Sequence, residues 1–176
     1  LVTRGTGQVG LELGRMNLPG LQVWTPTRAE LDLSALPDDL GALLEGVSVI
    51  VNCGAYTAVD KAESEPELAH AVNAIAPGLL AKAAARAGIP IVQVSTDYVF
   101  AIDGRGPWRE SDPVAPAGVY ARTKAEGEAR VRASGARHAI VRTAWVVRAN
   151  GQNFVETMLR VGAEREVLRV VADQRG

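Results

Sequence analysis

Short runs of β-branched and apolar residues alternate along the chain with longer segments in which apolar residues recur at helical spacing. The apolar runs predict six strands: Leu1–Thr3, Leu21–Thr25, Val47–Asn52, Ile89–Ser95, Ala139–Thr143 and Val167–Ala172. The segments between them predict five helices: Gln8–Met16, Ala35–Leu44, Glu65–Ala87, Gly118–Ser134 and Asn153–Arg165. Because apolar strands alternate with helices, the pattern predicts an α/β fold with a doubly wound parallel sheet.

The composition limits the classes of protein to which the chain can belong. The 176 residues carry a formal net charge of -1, with 47% hydrophobic and 22% charged residues, which is typical of one globular domain. This balance offers no basic surface for nucleic acid. The single cysteine, Cys53, fits a reducing compartment, and no apolar run approaches the roughly 18 residues of a membrane span. We therefore expect a cytoplasmic protein without a membrane partner, truncated at both ends.

The loop after the first predicted strand carries three glycines, Gly5, Gly7 and Gly10, in the order G-x-G-x-x-G. Between a strand and a helix, this pattern is the fingerprint of a Rossmann-type dinucleotide-binding domain, whose backbone amides approach a pyrophosphate at the helix N-terminus. A tight turn without a ligand fits the same residues. The strand–helix context favours the dinucleotide interpretation.

The residues at the end of the second predicted strand indicate which dinucleotide binds. An NAD site usually places an acidic residue there for the ribose hydroxyls, yet the segment Val23–Arg28 contains none. Arg28 is a candidate for the 2′-phosphate of NADPH, because a guanidinium binds phosphate well. NADPH is therefore the predicted cofactor, while NADH, with Arg28 as a solvated loop residue, stays open.

A tyrosine and a lysine four residues apart, Tyr120 and Lys124, lie on one face of a predicted helix. A nearby ammonium stabilises a phenolate, so the pair predicts a tyrosine that donates a proton near neutral pH. Upstream, Ser95, Thr96 and Asp97 end a buried strand, where ligands of open α/β sheets bind. A hydroxyl there can donate to a substrate carbonyl. Taken alone, the Tyr–Lys pair is also compatible with an ordinary surface helix.

Small residues follow the third predicted strand, in the segment Asn52–Lys61. They allow a cofactor to approach the strand end closely, and Tyr56, Thr57 and Lys61 offer it polar groups. In the same segment, Cys53 is interpreted as a small hydrophobic residue rather than a nucleophile.

These motifs together resemble the extended short-chain dehydrogenases/reductases and, within them, the dTDP-4-dehydrorhamnose reductase family. The phrases that carry the resemblance are Thr6–Gly10, Leu31–Leu33, Ala55–Glu63, Ser95–Phe100, Tyr120–Lys124, Val141–Val146 and Asn153–Val155. The resemblance implies hydride transfer from NADPH to the C4 carbonyl of a nucleotide sugar, dTDP-4-dehydro-L-rhamnose. It also implies that a further C-terminal region completes the sugar-nucleotide pocket, so residues 1–176 alone are expected not to turn over.

The resemblance implies a role for each matching residue. Tyr120 would protonate the alkoxide, Lys124 would hold the nicotinamide ribose and lower the tyrosine pKa, and Thr96 would bond the carbonyl oxygen. The residues implied to bind the cofactor are Gly7, Gln8, Val9, Gly10, Asp32, Leu33, Ala55, Tyr56, Thr57, Val94, Tyr120 and Lys124. Those implied to face the sugar nucleotide are Thr96, Asp97 and Trp145, although a strand-end core position is an equal interpretation of Trp145. Members of the family dimerise around Mg²⁺ through acidic groups, and Glu12 matches one such position.

One position departs from the pattern of that family. Extended reductases read T-G-x-x-G-x-x-G, and Arg4 occupies the first glycine, so the match through Gly5 is partly a coincidence of register. We expect Arg4 either to clash with the loop conformation of the family or to help bind a phosphate.

Two other functions fit the same motifs. One is a different extended reductase or epimerase for a nucleotide sugar; a dehydratase is less favoured, because no Glu follows Asp97. The other is a non-catalytic dinucleotide-binding regulatory subunit, similar to that of methionine adenosyltransferase. The intact trio of Thr96, Tyr120 and Lys124 favours an enzyme, since a scaffold has no chemical use for it.

Overall fold

The computed structural model describes residues 1–101, 107–149, 151 and 153–171. Its strands are β1 (Val2–Thr3), β2 (Ile50–Asn52), β3 (Ile91–Thr96) and β4 (His138–Thr143). Its helices are α1 (Gln8–Arg15), α2 (Val59–Ala62), α3 (Pro66–His70), α4 (Ala76–Ala87), α5 (Gly118–Ala133) and α6 (Phe154–Glu164). Short 3-10 turns lie at Ala42–Leu44 and Asp97–Val99, and a π-helical turn at Ala71–Ile75 joins α3 to α4.

The four strands form one parallel sheet in the order β1-β2-β3-β4. Val51 of β2 lies between Val2 of β1 and Val92 of β3, and β3 pairs with β4 from Ile91 opposite His138 to Thr96 opposite Thr143. The parallel α/β fold class predicted from the sequence is therefore confirmed. All four carboxyl ends meet at one edge of this sheet, which is where such folds bind ligands.

The core lies between the sheet and the two longest helices. Ile50 and Ile91 are fully buried and belong to one cluster with Leu80 of α4 and Val131 of α5. At Gly127, α5 approaches the π-helical turn so closely that a Cβ would overlap the carbonyl oxygen of Asn73. This contact fixes α5, and with it the Tyr120–Lys124 face, against the rest of the domain.

The segment Pro66–Ala87 is one continuous run of helix that contains α3, the π-helical turn and α4. By length and composition it is apolar enough to cross a membrane, but 61% of its most apolar window is buried inside the fold. That degree of burial is the packing of a core helix. The single long helix predicted over Glu65–Ala87 is thus confirmed, with the π-helical turn as an addition.

Two predicted elements between α1 and β2 are wrong. Leu21–Thr25 is not a strand: it runs beside β1, where the Val2 N–H donates to the Trp24 carbonyl at 2.9 Å, but Pro26 has no N–H with which to extend a ladder. Ala35–Leu44 is not a helix except for its last 3-10 turn. Pro37 interrupts that segment, and the Asp39 carboxylate accepts from the Gly41 N–H in a local turn instead.

A third prediction, the last strand, is also wrong over the described residues, and the remaining boundaries shift by a few residues. The predicted strand Val167–Ala172 has no strand over 167–171, and Ala172 lies outside the described residues. The predicted helix Asn153–Arg165 is present as α6, where Asn153 is the N-cap and its Oδ1 accepts from the Glu156 N–H at 3.1 Å.

Candidate active site

A cavity of about 740 Å³ opens at the carboxyl edge of the sheet. Its walls are the glycine turn before α1, the segment after β2, the ends of β3 and β4, and one face of α5. The predicted site residues that line it are Gly7, Gln8, Val9, Gly10, Ala55, Thr57, Val94, Thr96, Asp97, Tyr120, Lys124 and Trp145. Residues from five separate stretches of sequence therefore share one cavity.

The glycine turn presents backbone amides to this cavity. Gly7 is the N-cap of α1 without a side-chain cap, and its N–H donates to the Arg4 carbonyl at 2.9 Å. The amides of the first helical turn have no partner within the helix and carry the positive end of its dipole. The Gln8 Oε1 is buried without a hydrogen-bond partner in the described structure. The free amides fit an anionic group, and the buried Gln8 oxygen fits a donor such as a ribose hydroxyl, so the two together suit a ligand that carries both.

The turn before α1 has no space for a side chain at Gly10. This glycine is buried on α1, and a Cβ there would overlap the Arg4 carbonyl oxygen, which is backbone and has no room to move. We expect Gly10→Ala to reduce the free energy of unfolding by about 1–3 kcal/mol, because overpacking forces a backbone shift. Urea unfolding followed by circular dichroism measures the change.

Gly162→Ala is the matched control, since Gly162 also lies in a helix but a Cβ there meets only ordinary contact, 3.7 Å from Leu168 Cδ1. Alanine is the better helix former by up to about 1 kcal/mol, so this variant is expected to be neutral or more stable. Equal unfolding midpoints for the two variants would show that the Gly10 contact carries no constraint.

A buried asparagine holds the segment after β2 in place. Asn73 lies on the π-helical turn; its Oδ1 accepts from the Tyr56 N–H at 2.8 Å, and its Nδ2 donates to the Tyr56 carbonyl at 3.1 Å. The same Nδ2 donates to Thr123 Oγ1 of α5 at 3.2 Å. Ala55 and Thr57 on either side of Tyr56 thereby face the cavity. Sequence reasoning missed Asn73, whose signal is an amide within the otherwise apolar stretch Ala71–Ala81.

Lys124 and Tyr120 line the cavity from α5, as their spacing predicts. The Lys124 Nζ donates to the Val94 carbonyl at 2.8 Å, and burial lowers the pKa of this ammonium to about 8. Burial raises the pKa of Tyr120 above its usual value; the Thr96 side chain opposes this, while Asp97 and Tyr98 add to it. The lowered tyrosine pKa expected from the resemblance is therefore not found in this structure.

Thr96 ends β3 beside Tyr120. Its Oγ1 donates to Asp97 Oδ1 at 3.1 Å and accepts from the Tyr98 N–H at 3.2 Å, which caps the following 3-10 turn. The Tyr98 ring meets the Tyr120 ring edge-on, with 5.8 Å between centroids. Tyr98 also lines the cavity, although the sequence alone did not single it out.

Ser95 points away from this arrangement. Its hydroxyl donates to the buried Glu128 Oε1 at 2.6 Å, and Arg142 binds both oxygens of the same carboxylate at 2.9 and 2.6 Å. Arg132 adds a further bond to Oε2 at 2.9 Å. Of the two hydroxyls at the end of β3, the one beside Tyr120 is therefore that of Thr96.

The loop after β4 closes the cavity. Trp145 lies there with 58% of its surface exposed and a positive φ of 52°, so the interpretation of Trp145 as a core aromatic is wrong. Arg148, which sequence reasoning also missed, lines the same wall, and its Nε is buried without a partner in the described structure.

Cys53 lines the cavity as well. Burial raises the pKa of its thiol to about 11, although Lys124 opposes the shift. The sulfur is therefore a protonated thiol at neutral pH, which agrees with its interpretation as a small hydrophobic residue.

Three predicted cofactor residues lie outside the cavity wall: Asp32, Leu33 and Tyr56. Asp32 accepts from Ser34 and forms an ion pair with the exposed Arg28 at 3.2 Å, and the Tyr56 hydroxyl donates to Glu65 at 2.7 Å. Arg28 is likewise outside the wall.

Glu12 is the acidic residue considered for Mg²⁺. It is exposed and pairs with Arg15 at 3.2 Å. Over residues 1–101, 107–149, 151 and 153–171, no group of three His, Cys, Asp or Glu side chains is placed to hold a metal ion. A lone carboxylate paired with an arginine does not fit Mg²⁺, which needs several oxygen ligands.

Known proteins match this chain along its whole length. The family model described as RmlD substrate binding domain covers residues 1–176. The dTDP-4-dehydrorhamnose reductase of Sinorhizobium fredii is 43% identical over 176 residues, which are 99% of this chain and 60% of that protein. The chain thus spans about 60% of the length of the curated relatives it matches.

Two crystal structures are similar to the described fold. A dTDP-4-dehydrorhamnose reductase from Clostridium acetobutylicum matches with a TM-score of 0.91 and 39% identity, over 98% of this chain and 62% of that one. The Bacillus anthracis dTDP-4-dehydrorhamnose reductase, in complex with NADP, matches with a TM-score of 0.91 and 36% identity over the same shares.

Proposed function

Since the chain belongs to the RmlD substrate binding domain family, we propose that residues 1–176 form the dinucleotide-binding domain of an NADPH-dependent reductase. Its substrate would be dTDP-4-dehydro-L-rhamnose, and its product dTDP-L-rhamnose, by reduction of the C4 keto group. The observation that carries the proposal is the meeting of Tyr120, Lys124 and Thr96 with the glycine turn in one cavity. The relatives named as dTDP-4-dehydrorhamnose reductases support the choice of sugar.

NADPH, when bound, supplies the hydride that goes to the C4 carbon. Tyr120 gives its hydroxyl proton to the alkoxide oxygen that forms, so one hydride and one proton complete the alcohol. The phenol is protonated at neutral pH and available as a donor, and its raised pKa makes it a weaker acid than a free tyrosine. Thr96 would donate a hydrogen bond to the same oxygen once its hydroxyl turns from Asp97 Oδ1, to which it donates in this structure. Asp97 and Trp145 would face the sugar nucleotide.

Several features of the cavity suit a dinucleotide. Gly7 and Gly10 let the backbone approach the ligand, the first turn of α1 offers free amides, and Gln8 Oε1 is an unsatisfied buried acceptor. Lys124, with a pKa of about 8, is mostly protonated at neutral pH and suits a ribose hydroxyl. The cavity wall would be completed by Val9, Ala55, Thr57 and Val94. Three other residues do not line the cavity and would contact only a part of the dinucleotide that extends out of it: Asp32, Leu33 and Tyr56.

The cofactor, the cellular location and the oligomeric state complete the proposal. We assign NADPH over NADH because the similar Bacillus anthracis structure is a complex with NADP. A cytoplasmic location rests on the nucleotide-sugar substrate and the reduced Cys53, and a homodimer rests on the family resemblance alone. Among the described residues, no set of oxygen ligands is placed to hold Mg²⁺.

The proposal is tested by following NADPH oxidation by the full-length protein, with and without dTDP-4-dehydro-L-rhamnose. We expect consumption that depends on the sugar and is faster with NADPH than with NADH. Dinucleotide binding without consumption would instead favour another sugar or the regulatory-subunit function. A product formed without net consumption of cofactor would indicate an epimerase.

A further inference from the structure

Arg4 stands where the family pattern has its first glycine, and its backbone shows the same conformation that favours glycine. Its φ is 52°, in the left-handed region, which a residue with a Cβ adopts only at a cost. The side chain is exposed at the cavity, and its guanidinium Nη1 donates to the Ala55 carbonyl. The strained backbone thus serves to direct a cation into the cavity.

The Arg4 side chain passes the N-terminus of α1. Arg4 follows β1 and Ala55 follows β2, so the guanidinium bridges the carboxyl ends of two neighbouring strands. On the way, its Cγ passes 3.8 Å from the position that a Cβ on Gly7, the N-cap of α1, would take. The guanidinium charge, the helix dipole and the free amides of the first turn therefore act on the same small volume.

Among the residues that the structure describes, no carboxylate neutralises this charge. Within the described part of the chain, Arg4 has no acidic side chain at ion-pair distance, whereas Arg15 pairs with Glu12 and Arg28 pairs with Asp32, each at 3.2 Å. A guanidinium has five N–H donors, and the bond to Ala55 leaves most of them free. Such a group suits an oxyanion, which a guanidinium can bind through two parallel hydrogen bonds.

We propose that Arg4 binds the pyrophosphate of the dinucleotide, a charged contact that the glycine of the family pattern cannot make. This assignment rests on the proposed dinucleotide site. It differs from a role in reading the 2′-phosphate, because the bridge between β1 and β2 lies at the helix N-terminus, where the pyrophosphate of such folds sits. NADPH and NADH share the pyrophosphate, so Arg4 should strengthen the binding of both equally.

The test compares Arg4→Ala and Arg4→Lys with the unaltered chain, using the dissociation constants of NADPH and NADH from calorimetric titration. Both replacements keep a Cβ at the same φ, so the backbone strain stays and thermal melting checks that the fold is intact. We expect Arg4→Ala to raise both constants by about tenfold and by the same factor. Arg4→Lys should fall between, because it keeps the charge without the planar fork.

Arg15→Ala is the matched control, since it also removes one positive charge but from the last turn of α1, outside the cavity, and we expect both constants unchanged. Inorganic pyrophosphate should displace NADH from the unaltered chain at a lower concentration than from Arg4→Ala. Unchanged or tighter binding in Arg4→Ala would overturn the assignment, and so would a loss confined to NADPH. If the unaltered chain binds neither dinucleotide, the proposed function itself fails, and the Arg4 assignment fails with it.

Discussion

Replacing Tyr120 with phenylalanine is expected to lower the rate of sugar-dependent NADPH oxidation by a factor of about 10²–10⁴, the range for loss of a general acid. The reason is local: the phenol hydroxyl is the proton donor that the proposed reaction needs, and its raised pKa keeps that proton in place. The ring itself is retained, so its edge-on contact with Tyr98 is kept. Steady-state kinetics of the full-length protein measure the loss in kcat.

Dinucleotide affinity is the internal control for this variant. Because the Lys124 Nζ is held by the Val94 carbonyl rather than by the phenol, the dissociation constant of NADPH should change by less than about threefold, well under 1 kcal/mol. A Tyr120→Phe protein that keeps more than a tenth of the original kcat would rule out Tyr120 as the proton donor. Retained affinity for a protein partner with no sugar-dependent rate in either form would favour the regulatory function.

The strand positions and the helix face of the site residues follow from local sequence and were predictable. Apolar runs with Gly or Pro near their ends predict β2, β3 and β4 to within three residues at each end, because β-branched and apolar residues favour strands. The four-residue spacing of Tyr120 and Lys124 places both on the cavity side of α5 for the same reason of periodicity.

The parts that depend on contacts between distant segments were not predictable. The direction of the Tyr120 pKa shift is set by burial and by Asp97 and Tyr98 at the end of β3, not by the lysine one turn away. Similarly, Asn73 orders the segment around Tyr56 across 17 positions of sequence. No periodicity or turn signal in the sequence reports such a bond, because its two ends lie in different elements.

The predictions at Leu21–Thr25 and Ala35–Leu44 show a different limit. Both segments have suitable apolar residues, but their backbone bonds go elsewhere: Pro26 and Pro37 lack an N–H, and the Asp39 carboxylate takes the Gly41 N–H. Propensity is a weak prior when a single proline or a side-chain turn competes with it. The stretch between α1 and β2 is consequently held by its contacts with the core, through Leu31, Leu40 and Leu44, rather than by regular structure.

Glu128 is expected to be the residue whose loss destabilises the domain most. Its side chain is 1% exposed and accepts from Ser95 on β3, from Arg142 on β4 and from Arg132 on α5. Arg142 also lies 4.6 Å above the ring of Phe100, so the carboxylate joins the sheet, the helix and the segment after β3. Glu128→Ala leaves the half-buried Arg142 without its partner, and removal of one member of a buried ion pair typically costs about 3–5 kcal/mol. Urea unfolding at pH 7 measures the loss.

Glu126→Ala is the matched control, two positions earlier on the same helix. Its carboxylate is 40% exposed and pairs with Arg130 at 2.7 Å, and an exposed pair of this kind contributes at most about 1 kcal/mol. If the two variants unfold at the same urea concentration, the Glu128 network does not carry the stability assigned to it.

The pH dependence separates the charge of Glu128 from its packing. Burial alone would raise the pKa of this carboxyl, but the hydrogen bonds from Arg142, Ser95 and Arg132 outweigh burial and hold the pKa below its usual value. The folded protein therefore binds this proton less readily than the unfolded chain, whose glutamate pKa is about 4.3. The stability that the charge contributes is fully present above that value and is lost as the pH falls through the folded pKa. Accordingly, the stability difference between the unaltered chain and Glu128→Gln should be constant from about pH 6 to 8 and should shrink below about pH 4. A difference that stays constant down to pH 3 would show that Glu128 acts through packing and neutral hydrogen bonds alone.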